Sequence, residues 1–274
     1  MKIIKTKAEM RAWSLSERSI GHTIAFVPTM GYLHDGHLAL VRAAKADQGS
    51  VAVSIYVNPT QFGPQEDFSS YPRDLARDAA LLEKEGVDVL FTPETLYDKE
   101  DCVMVDPGPM QNALCGRFRP NHFRGVATVV LKLFNLVVPH SAFFGQKDAQ
   151  QVAILKKMIA DFDLPVRLRV VPIIREADGL ALSSRNIYLS SEERRKAPSL
   201  YQALCHIRRT VEAGETDAVS VLNAARSQIL ADIDYLEAVE GGTLQPASVL
   251  QAGVLIAGAI RLGRTRLIDN MLLS

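Results

Sequence analysis

The sequence predicts an α/β fold: a parallel-sheet domain followed by a smaller C-terminal α+β domain. Three observations carry this. Apolar runs rich in Val, Ile and Phe alternate with amphipathic helical stretches up to about residue 175. Beyond a polar stretch, "READGLALSSRN", the pattern changes to helices and then strand-like runs. Of the 274 residues, 47% are apolar, enough for a sizeable core. The expected division is 1–175 and 176–274, with the second domain closing over a cleft at the switch between patterns.

Taken in order, "IAFVPT" (24–29) is a short apolar run closed by Pro28, the mark of a buried strand. Asp35 is the expected N-cap of a helix over 37–48. "SVAVSIYV" (50–57) is the next strand, and as a sheet edge it would offer a contact to a second copy. The loop 58–73, with three prolines, is longer than connections usually are. "DLARDAALLEKE" (74–85) is an amphipathic helix ended by Gly86, and "VDVLFTP" (87–93) a strand. Residues 106–125 are irregular. Apolar positions 126, 129, 130, 133, 134 and 137 give helical spacing over 126–138. A strand (141–145), a helix (148–162) and a strand (166–174) complete the first domain. Helices over 190–213 and 216–231, a strand over 234–241 and a hairpin turning at Gly263-Arg264 make the second.

Composition excludes several classes. Basic and acidic residues balance at 31 each, which argues against a nucleic-acid partner. No uncharged apolar stretch reaches about 18 residues, so no membrane partner is expected. The start, Met1-Lys2-Ile3-Ile4-Lys5, lacks the apolar core of a signal peptide. Cys102, Cys115 and Cys205 are odd in number and form no C-x-x-C pair, which fits a reducing cytoplasm.

The chemistry concentrates in "TMGYLHDGHLAL" (29–40). A parallel sheet places its ligand at the carboxyl ends of its strands, and the N–H groups opening a helix favour anions. Gly31 and Gly36 let the backbone approach a phosphate. His34 and His37 can donate to phosphate oxygens and, when protonated, add charge where pyrophosphate departs. A chance pair or a metal pair is the competing reading, although a metal would want a third ligand. Neither the G-x-x-x-x-G-K-[ST] loop nor the G-x-G-x-x-G fingerprint is present.

"GYLHDGH" resembles the HxGH signature of the nucleotidyltransferase and class I aminoacyl-tRNA synthetase superfamily, with Asp35 in the variable place. "YVNPTQFGPQEDFSSYPR", "FFGQKDAQQ" and "ADGLALSSRN" narrow the resemblance to the pantothenate synthetase family, over about residues 24–195. It implies a Rossmann-like sheet domain and a ligase that joins pantoate to β-alanine with ATP and Mg²⁺ through a pantoyl adenylate. A carboxylate is a poor electrophile, and adenylation turns its oxygen into a leaving group. By the resemblance, Met30, Gly31, Tyr32, Leu33, His34, Asp35, Gly36 and His37 bind ATP, with His34 and His37 on the phosphates. His37 would stabilise charge as pyrophosphate leaves. Gln61 would contact pantoate and β-alanine, Asn58 would support that pocket, and Gln151 would hold pantoate. Gly145, Gln146, Lys147 and Asp148 would contact ribose and phosphates, with Lys147 catalytic alongside the histidines. Ile174 would meet the adenine, while Leu182, Ser183, Ser184 and Arg185 face the triphosphate. Mg²⁺ would bridge phosphates and keep several waters, with Asp78 near it. Arg124 receives no role. A homodimer is the expected assembly.

Three alternatives stand beside this: a nucleotidyltransferase that leaves its product adenylated, a nucleotide-binding regulator without chemistry, and a tRNA-binding module. The complete set of His34, His37, Lys147 and Ser183-Ser184-Arg185 argues against the second, and the neutral charge against the third.

Overall fold

The computed structural model describes residues 1–47, 49–64 and 66–274. The expected helix end at Gln48 and the loop position Gln65 lie outside the described residues. The chain packs as two compact units: 1–111 with 119–145 and 154–171, and 112–118 with 146–153 and 172–274.

The first unit holds a six-stranded sheet of β1 (Lys2–Ile4), β2 (Ile24–Thr29), β3 (Ser50–Ile55), β4 (Val89–Phe91), β5 (Ser141–Gly145) and β6 (Arg167–Val171). Every pairing is parallel, in the order β1-β4-β3-β2-β5-β6. The helices are α1 (Lys7–Ser19), α2 (Asp35–Ala46), α3 (Leu75–Lys84) and α4 (His122–Val137), with α5 (Ala149–Asp161) connecting β5 to β6. β-Branched and aromatic residues in the central strands suit burial on both faces. Ala25, Val27, Val51, Val53, Leu90 and Phe143 pack against Leu40, Val41 and Ala44 of α2 and Leu82 of α3. β3 and β4 follow on one side of β2, and β5 and β6 on the other. The carboxyl ends of β2 and β5 therefore flank the reversal of strand order, where open α/β sheets bind ligands.

Several expectations change. The strand 24–29 has the predicted bounds but is the second strand, because β1 and α1 precede it. The strand expected over 50–57 is no edge: β3 is bonded to β2 on one side and β4 on the other, leaving β1 and β6 outermost. α4 begins at His122 rather than 126, and 3-10 turns at Gly108–Asn112 and Leu114–Arg117 occupy the segment expected to be irregular.

In the second unit, β7 (Asp232–Glu240), β8 (Val254–Leu262) and β9 (Thr265–Leu272) form an antiparallel sheet with β8 in the centre. β8 and β9 are the predicted hairpin, and Gly263 supplies its positive φ of 54°. The helices are α6 (Ser191–Lys196), α7 (Ser199–Glu212) and α8 (Ala218–Arg226). The single helix expected over 190–213 is thus two. Pro198 lacks an N–H and occupies the N-cap of α7, which stops α6 before it. Leu200, Leu204 and Ile207 of α7 pack on Leu236, Ile256 and Ile260 of the sheet.

Candidate active site

In the first unit, β2 delivers the chain into a loop that is tightly fixed before α2 begins. Gly31 has a φ of +84°, and a Cβ there would lie 2.8 Å from Ile55 Cγ2 and 3.1 Å from Asp78 Oδ2. Tyr32 is also left-handed, with φ 51°, a conformation costly for a residue with a side chain. A buried carboxylate offsets that cost. Tyr32 N–H donates to Asp78 Oδ2 at 2.6 Å and Leu33 N–H to Asp78 Oδ1 at 2.8 Å. Asp78 sits on the first turn of α3, whose N-cap Asp74 accepts from Arg77 N–H, and it is 1% exposed. Burial raises its pKa, against the pull of the two amides and Arg77. Each oxygen takes one amide N–H, so Asp78 braces this loop.

His34, not Asp35, is the N-cap of α2. His34 Nδ1 accepts from Gly36 N–H at 3.1 Å, and His37 Nδ1 accepts from His34 N–H at 3.3 Å. This is the reciprocal geometry of a capping box, built from two imidazoles in place of Ser and Glu. The rings lie 4.1 Å apart. An accepting Nδ1 places the neutral ring's proton on Nε2. Each imidazole therefore offers an N–H donor at the start of a helix, and protonation of either ring would set N–H against N–H. Leu33 packs in the core. Asp35 is exposed.

A polar cluster lies in the turn after β3. Asn58 is 1% exposed and Gln61 9%. Asn58 Nδ2 donates to Gln61 Oε1 at 3.1 Å and to Gly125 O at 3.2 Å, while Tyr97 OH and Thr60 Oγ1 donate to Asn58 Oδ1, both at 3.0 Å. Gln61 Nε2 reaches Met30 Sδ at 3.2 Å. A thioether is a weak acceptor, so a substrate oxygen can take that donor. Gly125 is needed on α4, since a Cβ would lie 2.3 Å from Thr60 O. His122 Nδ1 donates to Gln61 O at 2.7 Å, and its Nε2 accepts from Arg119 Nη1 at 3.0 Å. Arg119 grips Glu66 with two bonds of 2.7 Å. Burial pushes the Glu66 carboxyl up, but Arg119 wins and holds it below the usual range. Gly145 ends β5 with open space beside it.

The second unit gathers the other predicted residues. Gln146–Asp148 form a 3-10 turn ahead of α5. Lys147 Nζ donates to Leu182 O at 2.9 Å. The residue is only partly covered, yet its ammonium end sits in dense packing and burial lowers its pKa. Arg175 bridges to Ala181, and Leu182 N–H donates to Ile174 O at 3.0 Å, so 174–182 is a small hairpin rather than a plain loop. Ser183 caps the turn Ser184–Tyr188 that carries Arg185. Gln151 is half-buried on α5, next to Gln150, which is committed to Cys115 N–H and Ala113 O. Sequence reasoning missed Asp269 and Asn270 on β9, both buried. Two consecutive buried polar residues inside "RLIDNMLL" break strand alternation, and that was the available signal.

Among the described residues no cluster of three His, Cys, Asp or Glu could hold a metal, and no helix is long and apolar enough to cross a membrane. A family model described as Pantoate-beta-alanine ligase matches residues 2–272. The chain belongs to the pantoate-beta-alanine ligase family. Pantothenate synthetase of Heliobacterium modesticaldum is 51% identical over 277 residues, covering 99% of each chain. Its counterpart in Thermotoga neapolitana is 50% identical over 279 residues, covering 100% of each. Among solved structures, pantothenate synthetase from Thermus thermophilus superposes with a TM-score of 0.93 at 45% identity, covering 99% of each chain. Pantoate-beta-alanine ligase from Francisella tularensis, complexed with beta-gamma ATP and beta-alanine, gives 0.82 at 34% identity, covering 99% of this chain and 97% of that one.

Proposed function

We propose that this chain condenses pantoate with β-alanine at the expense of ATP, forming pantothenate, AMP and pyrophosphate. The observation that carries the site assignment is the reciprocal capping of His34 and His37, which presents two Nε2–H donors at the opening of α2. A pantoate carboxylate oxygen attacks the α-phosphorus. The bond to the β-phosphate oxygen breaks, and the two Nε2–H groups donate to phosphate oxygens as charge builds on the departing pyrophosphate. Lys147, Ser183, Ser184 and Arg185 take the remaining triphosphate charge, and Gly145, Gln146 and Asp148 the ribose side. Gln61 and Gln151 hold pantoate. The amine of β-alanine, aligned by Gln61, then attacks the activated carbonyl. The carbon–oxygen bond to AMP breaks, and the ammonium loses its proton to solvent.

Mg²⁺ would arrive on the triphosphate, held by phosphate oxygens and water, since the described residues do not build a cage for it. We also infer a cytoplasmic homodimer from the family resemblance, with the three thiols free. Light scattering reads the assembly.

The deciding experiment measures pyrophosphate and AMP with pantoate and β-alanine omitted in turn. The expected result is pyrophosphate exchange with pantoate alone and AMP release only when β-alanine is added. AMP release indifferent to β-alanine would point to the nucleotidyltransferase alternative.

A further inference from the structure

Two consecutive buried polar residues on β9 converge on the segments that carry the second unit's assigned phosphate contacts. Asn270 Nδ2 donates to Gln146 O and to Lys147 O, both at 2.9 Å, and Gln146 Nε2 donates back to Asn270 Oδ1 at 3.0 Å. Both amide hydrogens and one acceptor site are thus spent on a single turn. Asp269 Oδ1 accepts the Asn270 N–H at 2.8 Å. Its carboxylate also takes Arg175 in a two-pronged pair, Nη1 at 2.5 Å and Nη2 at 2.8 Å. Arg175 in turn donates to Gly179 O at 3.0 Å and lies 3.9 Å over the Tyr201 ring, which fixes the 174–182 hairpin. Asp269, Lys147 and Ser183 line one cavity.

We propose that Asp269 and Asn270 are positioning residues for adenylation: Asn270 sets the backbone of the 146–148 turn, and Asp269 sets a carboxylate in the cavity that it lines with Lys147. This rests on the assignment of Lys147 to the triphosphate. A fold staple alone would not need a buried carboxylate that pairs with Arg175 and also lines the cavity of Lys147. The charged groups facing Lys147 are Asp148 on its own turn, Asp269 from β9 and Arg185 from the turn after Ser183. Burial lowers the Lys147 pKa, the two aspartates raise it and Arg185 lowers it. Asp148 is exposed and screened by water, whereas Asp269 is 5% exposed. Removing the Asp269 charge leaves Lys147 only the water-screened Asp148, so the lysine pKa falls further.

The test is pantoate-dependent ATP–pyrophosphate exchange with the full chain, followed from neutral to alkaline pH. Asp269→Asn is expected to move the alkaline limb of kcat/KM for ATP to lower pH. Asp269→Glu should restore that limb. Asn270→Asp keeps the shape but replaces the doubly donating NH₂ with an oxygen that repels both carbonyls. It should raise KM for ATP by roughly 10- to 100-fold. The KM for β-alanine should hold in all three. A folded Asp269→Asn enzyme with the wild-type limb overturns the role of Asp269. If that variant does not fold, Asn270→Asp decides, and an unchanged KM for ATP overturns the pair. Lys147→Met separates the underlying assignment. Unchanged exchange in that variant sinks the role of Lys147 itself. Lost exchange beside a wild-type-like Asp269→Asn sinks only the positioning role.

Discussion

The 30–37 loop of the first unit and the 146–148 turn of the second are held by clamps of opposite polarity. The first ends in the opening of a helix, with N–H groups turned inward, and Asp78 accepts two of them. The second turns two carbonyls toward β9, and Asn270 donates to both. A carboxylate and a carboxamide share a shape and differ by one group, so the side chain is chosen by what the backbone exposes. This sorts the buried polar residues: a buried Asp beside a loop marks orphan N–H groups, and a buried Asn can mark orphan carbonyls.

The largest expected effect tests what the first clamp is for. His37→Ala removes one Nε2–H donor and the partner of the His34 N–H. Pyrophosphate exchange should fall by roughly 10²- to 10³-fold, the usual loss for a charge-stabilising donor, with little change in pantoate affinity. An unchanged rate breaks the role given to that ring. The next sharpens the polarity argument. Asp78→Asn sets an amide NH₂ against an N–H donor, and misplacement of the loop should cost on the order of 10²-fold in exchange. Rates within a few-fold of wild type would show that the loop does not depend on its carboxylate.

The smallest effect concerns a part outside both clamps. Glu66, held below the usual carboxylate range by Arg119, contributes stability that is present above its unfolded pKa. That contribution disappears as pH falls through the lowered folded value. Glu66→Gln should therefore lower the melting temperature at neutral pH, with the gap closing in acid. A gap that holds in acid would mean the pair is not electrostatic.

The sequence exposes local matters and hides what is distant. β2, β5 and the β8–β9 hairpin follow from runs of apolar residues, and the motif histidines from their place between strand and helix. Aspartate commonly caps and histidine does not, so residue type alone points to Asp35. Only the Nδ1 geometry identifies His34. The interior place of β3 is invisible locally, because strand order is decided by pairings with segments far along the chain. β1 is three residues long, too short for any period to register. Asp78 on the first turn of α3 looks like one more solvated charge until Tyr32 and Leu33 arrive from far upstream. Asn270 and Gln146 are likewise 124 positions apart, beyond the reach of any local pattern.

Gly125 is a trap for anyone engineering durability into this chain. Alanine at that position would favour the coil-to-helix equilibrium of α4 by about 1 kcal/mol, so a scheme that scores helix formers alone would choose it early. The added methyl would collide with the Thr60 carbonyl and tilt the peptide that presents Gln61. The gain is local to one helix, whereas the collision reaches the proposed substrate pocket.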